Sequence, residues 1–124
     1  MASLTDEPLV VCSTNPMTGY YRDGYCKNYN DDSGSHVVCA ELTDEFLKFT
    51  KSRGNNLITP RGSFPGLKAG QRWCLCGLRW EEARKAGKAP PVILKAIHKS
   101  ALRFNKLHTY RKYAKTRKTR RDFR

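Results

Sequence analysis

Apolar positions along the chain gather in short runs separated by polar, glycine-rich stretches, and each run predicts one element. Residues 9–12 form an apolar run closed by Ser13, Thr14, Asn15 and Pro16, which make turns through side-chain to backbone bonds and proline's fixed φ. A first strand is expected there. From residue 18 to residue 35 the chain is Gly, Asn, Asp, Ser and four tyrosines (Tyr20, Tyr21, Tyr25, Tyr29), and no period of a helix or strand persists. That stretch predicts a long ordered loop held by its aromatics. Residues 36–40, centred on Val37, Val38 and Cys39, predict a buried strand.

The clearest helix spans residues 44–53. Thr43 suits its cap, Asp44 and Glu45 the positive end of its dipole, Lys51 and Arg53 the negative end, and Gly54 a left-handed stop, while Leu42 is placed to staple onto Leu47. After a Gly- and Pro-rich loop over residues 55–71, residues 72–78 predict a strand with Trp73 and Leu75 on one face and Cys74 and Cys76 on the other. A helix from residue 79 or 80 to residue 86 should end at Gly87, and Pro90 and Pro91 should introduce an apolar strand over residues 92–97. Leu107, Tyr110, Tyr113 and Ala114 then recur at helical spacing amid basic residues, predicting a helix that docks an aromatic face and exposes a cationic one. Trp73 and Trp80 read as core anchors. The sum is an α+β fold: a small mixed sheet of short strands, a few helices and long ordered loops. A chain of 124 residues suits one domain, placed at residues 1–105, with a basic helix and tail at residues 106–124.

Charge changes the picture. From Lys95 to Arg124 the chain carries twelve Lys and Arg against the single acid Asp122, whereas the preceding residues carry twelve basic and ten acidic side chains. Past Ala114 the run of Lys, Arg and Thr has nothing to bury and is expected to be disordered without a partner. A near-neutral body with a cationic end points to a polyanion, and nucleic acid leads because Lys and Arg displace its condensed counterions. The residues assigned to phosphate contact are Arg103, Lys106, Arg111, Lys112, Lys115, Arg117, Lys118, Arg120, Arg121 and Arg124, with Tyr110 or Tyr113 available to stack on an unpaired base. Membrane binding is disfavoured, since beyond Ala114 only Phe123 offers an apolar anchor and no apolar run is long enough to span a bilayer. Residues 1–7 resemble neither a signal peptide nor an Arg-rich transit segment, so an organellar destination would need a removed presequence or internal targeting.

Five cysteines, Cys12, Cys26, Cys39, Cys74 and Cys76, make an odd count without a secretory segment, which reads as free thiols in a reducing compartment. A metal reading competes, with Cys12, Cys39, Cys74, Cys76 and His98 as donors, because thiolate and imidazole are zinc ligands. The Cys74 and Cys76 spacing lacks the two-residue gap of zinc knuckles, and buried cysteine as a small apolar side chain explains it equally well. No cofactor is therefore expected, with zinc as the alternative. His36, after Gly34 and Ser35, reads as a brace for the preceding loop, and Asp23 as turn chemistry. No small-molecule substrate and no catalytic constellation emerges.

Four segments carry a resemblance: residues 12–24 (CSTNPMTGYYRDG), 34–40 (GSHVVCA), 64–76 (FPGLKAGQRWCLC) and 89–92 (APPV). Together they resemble a mainly bacterial family, domain of unknown function 2237, across residues 9–114. The resemblance implies a domain and transfers no catalytic residue. Family members typically have paired cysteines where this chain has Tyr25-Cys26, an acidic or neutral final helix where it has Lys106 to Lys115, and an end near that helix where it continues to Arg124. A bacterial-type domain with an added cationic end is, by analogy, the form of proteins recruited into ribosomes. The expectation is thus a non-enzymatic, structural RNA-binding component of a ribonucleoprotein, an accessory protein of a mitochondrial ribosome whose partners are rRNA and neighbouring ribosomal proteins. The alternative is a small enzyme or metal-thiol protein, cytoplasmic or localised by its tail.

Overall fold

The computed structural model describes residues 1–115. The predicted disordered tail, with Arg117, Lys118, Arg120, Arg121 and Arg124, lies outside the described residues. Among those described, two strands, β1 (His36–Glu41) and β2 (Arg72–Cys76), and three helices, α1 (Asp44–Ser52), α2 (Gly77–Lys85) and α3 (Leu107–Lys112), are joined by long loops and two 3-10 turns at Leu94–Ala96 and Lys99–Arg103. The fold is α+β. β1 and β2 pair antiparallel with Cys39 opposite Cys74, Ala40 opposite Trp73 and Glu41 opposite Arg72, and the register is irregular between His36 and Val38.

Two of the four expected strands do not form as ladders. In residues 9–12 the Val10 amide donates to the Lys95 carbonyl and the Cys12 amide to the Gly24 carbonyl, so successive bonds go to different partners. The run is extended but belongs to no sheet. Residues 92–97 follow the free edge of β1 and satisfy it at separate points: Glu41 donates to Pro91, Ile93 to Cys39, and His98 to Val37. Between those points the chain leaves the edge as the Leu94–Ala96 turn, which places Ala96 and Ile97 in the core. Val92 continues the pairing outward, donating to the Tyr113 carbonyl at 2.9 Å and accepting from the Lys115 amide at 2.8 Å. The end of the described chain is thereby tied to the sheet.

α1 forms where its signals placed it. Thr43 Oγ1 accepts from the Phe46 amide at 3.1 Å, Phe46, Leu47 and Thr50 are buried, and Gly54 takes φ +93° one residue beyond the cap. α2 begins earlier than predicted, directly after β2, and its first residue, Gly77, sits where a side chain would not fit. A Cβ there would lie 2.4 Å from Cδ2 of Phe104. α2 buries Trp80 completely, and the indole N–H donates to the Pro90 carbonyl at 3.1 Å. Tyr110 of α3 packs at 5.2 Å from that indole and Tyr113 presents its ring at 5.3 Å, which docks the last helix as expected. The Tyr110 hydroxyl donates to the Ala101 carbonyl at 2.7 Å, and burial pushes its pKa well up.

The Gly77 contact yields a stability prediction. Gly77→Ala should destabilise the protein by roughly 1–3 kcal/mol in urea unfolding, the usual range for overpacking. Adding Phe104→Ala should make the pair cost less than the sum of the single changes, and strict additivity would show that the two positions do not meet.

Candidate nucleic-acid interface, cysteine pairs and an arginine-lined cleft

The docked aromatic side of α3 leaves its cations on the outside. Arg103, Lys106, Arg111 and Lys112 are exposed, and none of them forms an ion pair among the described residues. Arg111 and Lys112 occupy the last turn, where the helix dipole favours positive charge, and the Arg103 guanidinium lies over the Phe104 ring at 5.5 Å. Lys115 is placed differently. Its Nζ donates to Glu41 at 2.6 Å, and Glu41 also faces Arg72 at 3.8 Å, so this cation is partly neutralised by the body. The stacking role expected of Tyr110 is overturned, because its ring has no exposed surface. Tyr113 is half-buried against Trp80.

The reading of all five cysteines as thiols is corrected. Cys12 is bonded to Cys39 and Cys26 to Cys74, leaving Cys76 as the free thiol, half-buried. The donor set proposed for zinc is not gathered as expected: the sulfurs within 4.8 Å of one another are those of Cys12, Cys26 and Cys39. All three are in disulfides, and a disulfide sulfur lacks the thiolate that zinc takes. His98 is engaged elsewhere, capping the Lys99–Arg103 turn by accepting from the Ser100 amide at 3.0 Å. Spacing could not reveal these pairs, since each joins a β-strand to a distant loop, 27 and 48 residues apart in sequence.

His36 is the brace the sequence suggested. Asp32, with its side chain fully buried, accepts from the His36 amide at 2.8 Å and holds Nδ1 at 2.7 Å, and the imidazole stacks on Tyr20 with centroids 6.0 Å apart. Arg22 and Arg61, to which the sequence assigned no role, line the same place. With Gly19, Tyr20, His36, Leu57, Phe64, Trp73 and Cys74 they enclose a cleft of about 380 Å³. Arg22 sits over Trp73 at 5.0 Å and Arg61 over Phe64 at 5.2 Å. Its walls come from three of the four segments that carry the family resemblance, plus the loop bearing Leu57 and Arg61. Arg22 reads as part of a turn because Asp23 and Gly24 follow it; in the structure it adopts φ +57° and lines the cleft.

The family model for "Uncharacterized protein conserved in bacteria (DUF2237)" matches residues 2–114. The chain belongs to this family. The match takes in the basic α3 and leaves residues 115–124 outside it. No curated protein matches the chain closely enough to lend it a role. Among the described residues, no helix is long and apolar enough to cross a membrane.

Thiol titration checks the cysteine assignment. The native protein should react with one equivalent of Ellman's reagent, at Cys76, and the reduced, unfolded chain with five. Replacing Cys26 and Cys74 with alanine should cost about 4 kcal/mol in the chain-entropy account of a loop this long. A second check uses His98, whose pKa is lowered by burial. A depressed imidazole pKa means the unfolded chain takes up the proton first, so stability should fall as pH drops below about 6.5 and level off below the folded pKa. His98→Gln should flatten that limb of the pH profile.

Proposed function

We propose that this DUF2237 protein is a structural RNA-binding component of a ribonucleoprotein, an accessory protein of a mitochondrial ribosome held to rRNA by its basic C-terminus. The observation that carries the reading is the unpaired, outward-facing set Arg103, Lys106, Arg111 and Lys112 on a docked helix that leads into a still more basic segment. Each phosphate neutralised by such a side chain releases a condensed counterion, and the rigid body fixes where the first contacts fall. The body supplies shape and contacts to neighbouring proteins, and no catalysis is assigned to it. The ribosomal placement is an analogy from a bacterial-type domain with a cationic extension. The two buried cysteine pairs do not separate the mitochondrial from the cytoplasmic reading, because reducing thiol pools act in both places.

A second reading rests on the convergence of Cys12, Cys26 and Cys39. In the reduced protein those three thiols would lie close enough to hold a soft metal, which supports the metal-thiol alternative. Stoichiometric zinc in protein purified under reductant would favour it.

The RNA reading is tested by sedimentation and by salt. The tagged protein from its own cells should comigrate with a ribosomal subunit and lose that position after RNase. If the basic end meets six to ten phosphates, log affinity for RNA should fall against log salt with a slope of roughly −4 to −9, taking ~0.7 to 0.9 per contact. Replacing Arg103, Lys106, Arg111 and Lys112 with Gln should flatten the slope by about 3. A slope near zero, or one unchanged by the four replacements, would overturn the assignment of these residues.

A further inference from the structure

We propose that the cleft lined by Arg22, Arg61 and His36 binds a small organic anion, a carboxylate or phosphate group carried on a compact apolar body. This site is separate from the RNA reading and does not depend on it. Its lining contains two guanidinium groups and an imidazole and no carboxylate. The nearest acids are already engaged. Asp32 is taken up by His36, Asp23 accepts from the Tyr25 amide and the Tyr29 hydroxyl and pairs with Lys27, and the Asp31 carboxylate accepts from Tyr21. Neither Arg22 nor Arg61 has an ion-pair partner among the described residues.

Both guanidinium groups are held in place before any ligand arrives. Arg22 Nη1 donates to the Gly19 carbonyl at 2.6 Å while the group covers Trp73. Arg61 donates to the Thr59 carbonyl at 3.1 Å and the Asn56 carbonyl at 2.9 Å while it covers Phe64. A guanidinium has five N–H donors, so each retains several, and their fixed planes suit the paired oxygens of a carboxylate or phosphate. Less side-chain freedom is lost on binding when the donors are already ordered. His36 adds a third polar contact. Because Asp32 holds Nδ1, the ring's Nε2 is the nitrogen left for a ligand. Leu57, Phe64 and Trp73 supply apolar wall for the remainder of the molecule.

Size limits the occupant. A volume of about 380 Å³ is at the lower end of small-molecule sites. A one-ring acid fits that description, and a polymer does not. The apolar walls distinguish the site from a bare phosphate cradle, which would be open and polar. Trp73 is nearly buried and both it and Phe64 are covered on one side by arginine, so these rings act as walls rather than as stacking platforms.

The test is a titration of the full chain, followed by two-dimensional NMR of the Trp73 indole N–H and the His36 ring, with phenyl phosphate, benzoate, inorganic phosphate and benzyl alcohol as probes. Phenyl phosphate or benzoate should give saturable shifts at both groups with a dissociation constant of about 1 mM or tighter, a reasonable ceiling for so few atoms. Whichever of the two binds more tightly assigns the phosphate or the carboxylate class. Inorganic phosphate should bind more weakly, and benzyl alcohol should not compete. Arg61→Gln, on an exposed loop, should weaken binding ~10-fold or more, as loss of a charged hydrogen bond does, and Arg22→Gln should do the same if its amide spectrum shows the fold intact. Three results would overturn the proposal: shifts that do not saturate, shifts confined to residues 106–115, or Arg61→Gln binding as the parent does. None of these bears on RNA binding, which is read from the salt slope.

Discussion

One cross-strand pair organises the rest of the molecule. Cys39 and Cys74 lie opposite each other on β1 and β2, and each is bonded to a different point of the irregular N-terminal third, Cys12 and Cys26. Residues 1–35 contain no helix or ladder strand of their own. Closing loops of such length costs chain entropy, and a covalent tie removes much of that cost by restricting the unfolded chain. The Cys74 amide donates to the buried Thr18 hydroxyl at 2.9 Å, which adds a polar tie beside the covalent one. Three attachments from this one cross-strand pair thus fix the turn bearing Gly19, Tyr20 and Arg22 against the sheet. The cleft exists because that turn cannot swing away.

The C-terminal end depends on the opposite edge. A helix of six residues is far below the length that is stable in isolation, so α3 must be held by tertiary contacts. Tyr110 and Tyr113 pack on Trp80, and the backbone on either side of Ala114 bonds to Val92, which is itself bridged to β1. The apolar side of α3 is used up by this docking. Its cations therefore face outward as a consequence of packing, and their spacing is set by the rigid body. Lys115 differs from these cations, because the body answers its charge through Glu41.

Local physics made part of this legible in the sequence. α1 was readable because its cap, its dipole-matched ends and its glycine stop all act within a few residues. The two real strands were readable because each is a short apolar run buried on both faces. Residues 92–97 misled for the same reason: an apolar run at a sheet edge reads as a strand, and only the tertiary need to seat Ile97 breaks it with a turn. Gly77 reads as part of the strand over residues 72–78, whereas it opens α2 and lies too close to Phe104 for a side chain, which no local signal reports. The cysteine pairs were illegible because odd count and absent signal segment are statements about compartment, whereas pairing is decided by a ladder register. Arg22 and Arg61 were hidden because arginine in a turn is ordinary until distant rings are found beneath it.

Charge bookkeeping within the body joins these points. Glu81 is held by Arg84, Glu82 by Arg53 and Arg79, Glu41 by Arg72 and Lys115, and Glu45 by Lys88. Hydrogen bonds from Arg84 and Asn105 hold Glu81 below the ordinary carboxylate range despite its partial burial. The acids of the folded body are thus largely committed to local partners, and the arginines left over are not scattered. They collect in the cleft, as Arg22 and Arg61, and on the C-terminal face, as Arg103 and Arg111. The two sets obey different physics. On the exposed face, attraction works through counterion release and is screened by salt. In the cleft, ordered donors beside apolar walls are screened less, and shape limits what enters. The proposed small-molecule site and the proposed polyanion face are therefore physically independent, because neither set of cations draws on the other's contacts.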